Sequence, residues 1–122
     1  MTIPINNESQ VIDIQQAFNH LFPFLKIELF KKEHGYPKAS PPKEKLPYYQ
    51  YINELSGQLP EQIVLSEDMR VLELEKLFED QFGLQLQVFR KSGNLWLETT
   101  ITDSWTLKQQ NVHGMEISWV DQ

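Results

Sequence analysis

The hydrophobic period of this chain changes abruptly at Gly83, which sets a helix directly before a strand. Before it, Val71, Leu74, Leu77, Phe78 and Phe82 recur at three- and four-residue steps, the apolar stripe of one helix face. After it, Leu84, Leu86 and Val88 alternate with polar residues, the period of a half-buried strand. Gly83 is the residue best able to take the left-handed conformation that closes a helix. Ahead of the helix, Ile63 and Leu65 start a strand, and Ser66 to Asp68 offer capping oxygens and negative charge to the first turn. Beyond Val88, Ser92-Gly93 turns the chain into Leu95, Leu97 and Thr99. A turn centred there sets Phe89 opposite Trp96, Val88 opposite Leu97 and Gln87 opposite Glu98, so apolar and polar faces agree across both strands. Thr106-Leu107 through Asn111-Val112 then reads as a turn or short helix, and Met115, Ile117 and Trp119 alternate as a final strand.

The first half follows a similar logic. Val11, Ile14, Phe18 and Leu21 mark a helix from about Ser9 to Phe22, with Ser9 or Asn7 as cap and Pro23 as its end. Leu25, Ile27 and Leu29 then alternate as a strand. From Glu33 to Pro47 the pattern gives way to prolines, a glycine and lysines, which predicts a mobile loop. Tyr48, Tyr51, Ile52 and Leu55 suit one or two helical turns, stopped by Gly57 and Pro60.

At 122 residues, 40% of them hydrophobic and 23% charged, the chain is expected to be one α+β domain over 1–122 with a single core. It has no cysteine, so neither a disulfide framework nor a thiolate site is available. The start, Met1-Thr2-Ile3-Pro4, lacks a basic and then apolar leader, and the longest apolar-rich run, Leu21 to Phe30, is broken by Pro23, Lys26 and Glu28. A cytoplasmic location and no membrane partner are expected. A net charge of -6 opposes nucleic-acid binding, which needs a clustered basic surface.

Candidate chemistry is sparse. His20 lies late in the first helix, His34 opens the proline-rich loop and His113 precedes the last segment; none stands at a ligand spacing from another. On the second helix Glu73 and Asp80 fall opposite the apolar stripe beside Lys76, and Glu79 on its flank, a solvated face; only Glu75 projects near the stripe. No catalytic residue, metal site or cofactor is expected.

The order of elements, with Thr106-Leu107, Asn111-Val112 and Met115 to Val120 at their spacing, resembles ubiquitin-like β-grasp domains over Gln62 to Val120, with Leu25 to Lys32 as first strand. That resemblance implies a mixed sheet packed on a helix, with Leu25 to Phe30 parallel to Met115 to Trp119, an extra N-terminal helix and a long loop insertion. Val120-Asp121-Gln122 lacks the family's diglycine tail, so neither a conjugated modifier nor a sulfur carrier is implied. The run from Phe89-Arg90-Lys91-Ser92-Gly93 to Trp105-Thr106-Leu107 is also similar to a group of small bacterial proteins without assigned activity, which implies a bacterial origin. A second organisation fits as well. Val11, Ile14, Phe18, Phe22, Leu25, Ile27 and Leu29 line up with Val71, Leu74, Phe78, Phe82, Leu84, Leu86 and Val88, as duplicated strand-helix-strand-strand modules would, and convergence of two amphipathic units would give the same pattern. Such modules resemble the glyoxalase-like fold, whose metal-holding histidines on strands have no counterpart here.

Strand parity supplies the functional expectation. With the aliphatic residues packed under a helix, Phe30, Phe89 and Trp96 share the opposite sheet face among Lys26, Glu28, Gln85, Gln87 and Glu98. Aromatics rimmed by polar groups suit a partner-binding surface, and coverage by the first helix or by Tyr48 to Leu55 would instead make a second core layer. The leading expectation is a non-catalytic protein-interaction module. The alternative is a small-molecule-binding protein or enzyme with a pocket near 33–55 that uses His34, Tyr48 and Tyr51.

Overall fold

The computed structural model describes residues 1–31 and 44–120. Among them the chain is α+β, with two antiparallel sheets and three α-helices. In chain order these are β1 (Thr2–Pro4), α1 (Val11–Leu21), β2 (Leu25–Lys31), β3 (Gln62–Val64), α2 (Val71–Phe82), β4 (Leu84–Ser92), β5 (Leu95–Glu98) and α3 (Leu107–Val120), with a 3-10 turn at Ile52–Glu54. β1 and β3 make one sheet; the larger has the order β2-β4-β5.

α1 and α2 form for the same local reasons. Each buries a stripe at helical spacing, Val11, Ile14 and Phe18 in one and Val71, Leu74, Phe78 and Phe82 in the other. At each N-terminus a carboxylate reaches back one turn: the Gln10 N–H donates to Asp13 at 2.8 Å and the Arg70 N–H to Glu73 at 3.2 Å. The serines act a few residues earlier than expected. Ser9 Oγ accepts the Asn6 N–H and Ser66 Oγ the Asp68 N–H, shaping the approach to each helix rather than its first turn. Gly83, at φ 64°, closes α2 in the left-handed conformation.

The two halves repeat one hydrogen-bond pattern across a pseudo-twofold axis. Ile3 pairs with Ile63 and Glu28 with Gln87, each joining equivalent positions of the two halves. The Ile5 N–H donates to the Glu61 carbonyl and the Leu65 N–H to that of Met1, the same bond read from either side. Gln10 bridges Tyr51 as Arg70 bridges Thr106. The rings of Phe18 and Phe22 stand 5.3 Å apart at 42°, those of Phe78 and Phe82 5.1 Å apart at 40°. β2 gains an outer neighbour as β4 does. The Lys31 N–H donates to the Glu44 carbonyl and the Leu46 N–H to that of Leu29, so Glu44 to Leu46, inside the span expected to be loop, runs antiparallel along β2. Where this neighbour stops, Gln15 and Asn19 on α1 donate to the carbonyls of Ile27 and Leu25.

Symmetry ends at the last helix. After Ile52 the first half makes only the 3-10 turn, whereas after the equivalent Leu107 the second half makes α3. The final strand expected at Met115 to Trp119 is therefore corrected to the C-terminal half of α3, and its parallel pairing with Leu25 to Phe30 is not formed. Local chemistry explains the helix. Thr106 Oγ1 accepts the Gln109 N–H while Gln109 Oε1 accepts the Thr106 N–H, a reciprocal cap at the start. The buried positions are Leu107, Gln110, Gly114 and Ser118, at helical spacing but mostly polar or small, so hydrophobic periodicity hides them. The hairpin register is also corrected. Phe89 faces Glu98 and Lys91 faces Trp96, because the two-residue loop is Gly93-Asn94 with positive φ at Gly93, as a type II′ turn requires. The shift is an even number of residues, so strand parity survives.

Gly114 sets how closely α3 approaches the sheet. A Cβ there would stand 3.0 Å from Phe24 Cβ and 3.2 Å from the Lys91 carbonyl oxygen. Gly114→Ala is expected to lower unfolding free energy by about 1–3 kcal/mol in chemical denaturation. An unchanged midpoint would contradict this packing.

Candidate functional site

Packing of α1 on β2 and of α2 on β4 takes up the aliphatic face of the larger sheet, where Leu25, Ile27, Leu29, Leu84, Leu86 and Val88 are buried. The other parity carries Lys26, Glu28, Phe30, Gln87, Phe89 and Trp96, all half-buried. Pairing of Lys26 with Phe89, and of Lys91 with Trp96, brings the two aromatic rings to one lysine. The Lys26 ammonium lies 5.4 Å from the Phe89 ring centre and 5.1 Å from that of Trp96. A cation over two rings is worth about 0.5–1 kcal/mol per contact at an exposed site. Its chief effect is positional, because the lysine stem holds both rings on the sheet.

Glu28, at the pseudo-twofold axis, divides this face. Its carboxylate lies 3.1 Å from Lys45 Nζ and 3.8 Å from Lys26 Nζ. Phe30, paired with Lys45 on one side and Gln85 on the other, sits beyond it, on the far side from Phe89 and Trp96. The structure thus brings Phe89 and Trp96 together around Lys26 and places Phe30 apart from them on the same face.

Of the residues expected around a pocket, Tyr48 and Tyr51 are described and lie away from this face. Tyr48 and Tyr51 are exposed beside the start of α1, where the Tyr48 carbonyl accepts the Ile12 N–H and Tyr51 bridges Gln10. Tyr48 meets Tyr49 edge-on at 5.4 Å. His34 lies outside the described residues. Among the described residues no group of three histidine, aspartate or glutamate side chains is placed to hold a metal ion, and no helix is long and apolar enough to cross a membrane.

A polar cluster that periodicity does not reveal joins β4 to α3. Arg90 lies on the aliphatic parity of β4, opposite Leu25, so its guanidinium meets the buried face of α3. Its Nη1 donates to Gln110 Oε1 at 2.7 Å, and Gln110 Nε2 donates to the Thr102 carbonyl and hydroxyl at 2.8 and 2.7 Å. The guanidinium lies 5.8 Å from the Trp105 ring centre, and His113 meets that ring edge-on at 5.5 Å. Burial lowers the Arg90 pKa, since desolvation disfavours the charge, and its Nε has no hydrogen-bond partner among the described residues. On the outer side of Trp105 is a shallow depression lined also by Lys108, Gln109, Val112, His113 and Glu116. The one sequence signal for the cluster is an arginine at an apolar parity position.

Gln110 holds three polar groups at once, so its loss strands partners. Gln110→Ala is expected to cost about 1–3 kcal/mol for each group left unsatisfied, and a cycle with Arg90→Met should return a coupling of about 0.5–3 kcal/mol. Additive effects in urea unfolding would show that the two side chains do not act together. No protein-family model, curated protein or solved structure matches the chain.

Proposed function

We propose that the chain is a non-catalytic protein-interaction module whose contact surface is the outer face of the larger sheet at Phe30, Phe89 and Trp96. The observation that carries this reading is the Lys26 ammonium held between the half-buried rings of Phe89 and Trp96. The lysine steadies both rings while its charge keeps that side of them hydrated, an arrangement that leaves them available to a partner. A recognition surface gains contact area from rigid rings and selectivity from the charge. The partner that suits it presents an apolar side chain flanked by a carboxylate. Neighbouring Glu28 is already engaged by Lys26 and Lys45, so the positive charge nearest the rings is partly compensated and favours a partner with few acidic groups rather than a long acidic tract.

The test is capture of partners from the source cell by the wild-type chain and by the Phe89→Ser and Trp96→Ser variants, identified by mass spectrometry and titrated as purified proteins. Binding should fall at least about tenfold in each variant, with unfolding free energy changing by much less than the roughly 3–5 kcal/mol of a buried aromatic truncation. Unfolding of both variants would make the face a core layer and remove the reading. Retained affinity in two folded variants would move the contact surface elsewhere.

A further inference from the structure

β5 is the outermost strand of the larger sheet, and among the described residues nothing pairs with its outer edge. Hydrogen-bond alternation says which groups stand on that edge. The Thr99 N–H donates to the Val88 carbonyl, so Thr99, Leu97 and Leu95 turn their backbone groups toward β4. Those of Trp96 and Glu98 turn outward. Leu95 and Leu97 are exposed at 65% and 42%, and Ile101 just beyond at 97%, a local concentration of bare aliphatic surface. At the opposite end of the sheet Glu44 to Leu46 takes the corresponding place beside β2, joined by one bridge where β5 has a four-residue ladder.

We propose that β5 pairs antiparallel with β5 of a second copy of this chain, about a twofold axis through Leu97. The occupant follows from self-complementarity. With Leu97 facing its own copy, Trp96 of each chain faces Glu98 of the other, and both outward-facing residues exchange their backbone bonds, the fullest pairing this strand allows. On one face the leucines cover one another. On the other, each Glu98 carboxylate arrives beside a Trp96 ring that already carries Lys26 at 5.1 Å and has Lys91 as its cross-strand neighbour, so the unlike charges meet across the axis. A shift of the register in either direction loses one of these matches. Pairing also joins the Phe89 and Trp96 surfaces of two chains into one band, although the dimer stands independently of any partner that band binds.

The edge is only four residues long and each chain carries a net charge of -6, so the dimer is weak, with a Kd on the order of 10–100 μM. Sedimentation equilibrium of the full chain at about 0.15 M salt, where repulsion beyond roughly 8 Å is screened, should pass from one-chain to two-chain mass across that range. The natural absence of cysteine gives a register-specific probe. Leu97→Cys should oxidise to a disulfide-linked dimer, since facing Cα atoms at a non-hydrogen-bonded pair lie about 4.5 Å apart. Leu95→Cys should not, because this register holds its two copies roughly 13 Å apart. Glu98→Lys, at an exposed position, should keep the thermal midpoint of the dilute protein and raise Kd at least about tenfold. A wild-type chain that stays monomeric at about 1 mM overturns the proposal. So does a dimer in which Leu97→Cys fails to cross-link or Leu95→Cys links equally well, since the contact would then lie on another surface or in another register.

Discussion

Everything in this fold depends on the first half pairing antiparallel with the second at two places on one axis. Ile3 with Ile63 closes the small sheet, and Glu28 with Gln87 centres the larger one. Neither half alone has more than a narrow ribbon to bury a helix against: β1 is completed by β3, and β2 is joined to β4. The aliphatic side chains of both halves therefore enter one core, in which Phe18, Phe22, Phe78 and Phe82 are the largest members. Chain entropy is expended on long-range contacts before any burial is gained, and that makes the pairing cooperative.

The difference between the halves is where the chemistry collects. α3 has no counterpart after Ile52, and it docks through Gly114 and through the bonds of Gln110 and Asn111 rather than through an apolar stripe. Polar docking of this kind fixes orientation more than it adds stability, because each bond replaces one to water. The result is a guanidinium held against Trp105 at one end of the sheet while the open face carries Lys26 between Phe89 and Trp96.

Legibility in the sequence followed the strength of the apolar signal. α1, α2, β2 and β4 each bury aliphatic or aromatic side chains at one clear period, and their positions are readable within a residue or two. β1 is only three residues long with one buried side chain, too short to show a period, and it went unread. α3 buries Leu107, Gln110, Gly114 and Ser118, so the alternation of Met115 and Ile117 pointed to a strand that is not there. The shared face of Phe30, Phe89 and Trp96 was readable because parity survives an even slip of register, while the separation of Phe30 from the other two depends on which strands are neighbours, a tertiary fact. Arg90 and Gln110 depend on tertiary contact too.

One consequence of the central pair concerns fidelity of assembly. At the axis an acid, Glu28, faces an amide, Gln87, rather than a copy of itself. Two first halves drawn from different chains would oppose carboxylate to carboxylate in a site where Glu28 is largely shielded from solvent, and like charges directly opposite are destabilising. The correct pairing of one half with the other has no such repulsion. A single unlike pair on the symmetry axis thus favours joining a first half to a second half over joining two first halves.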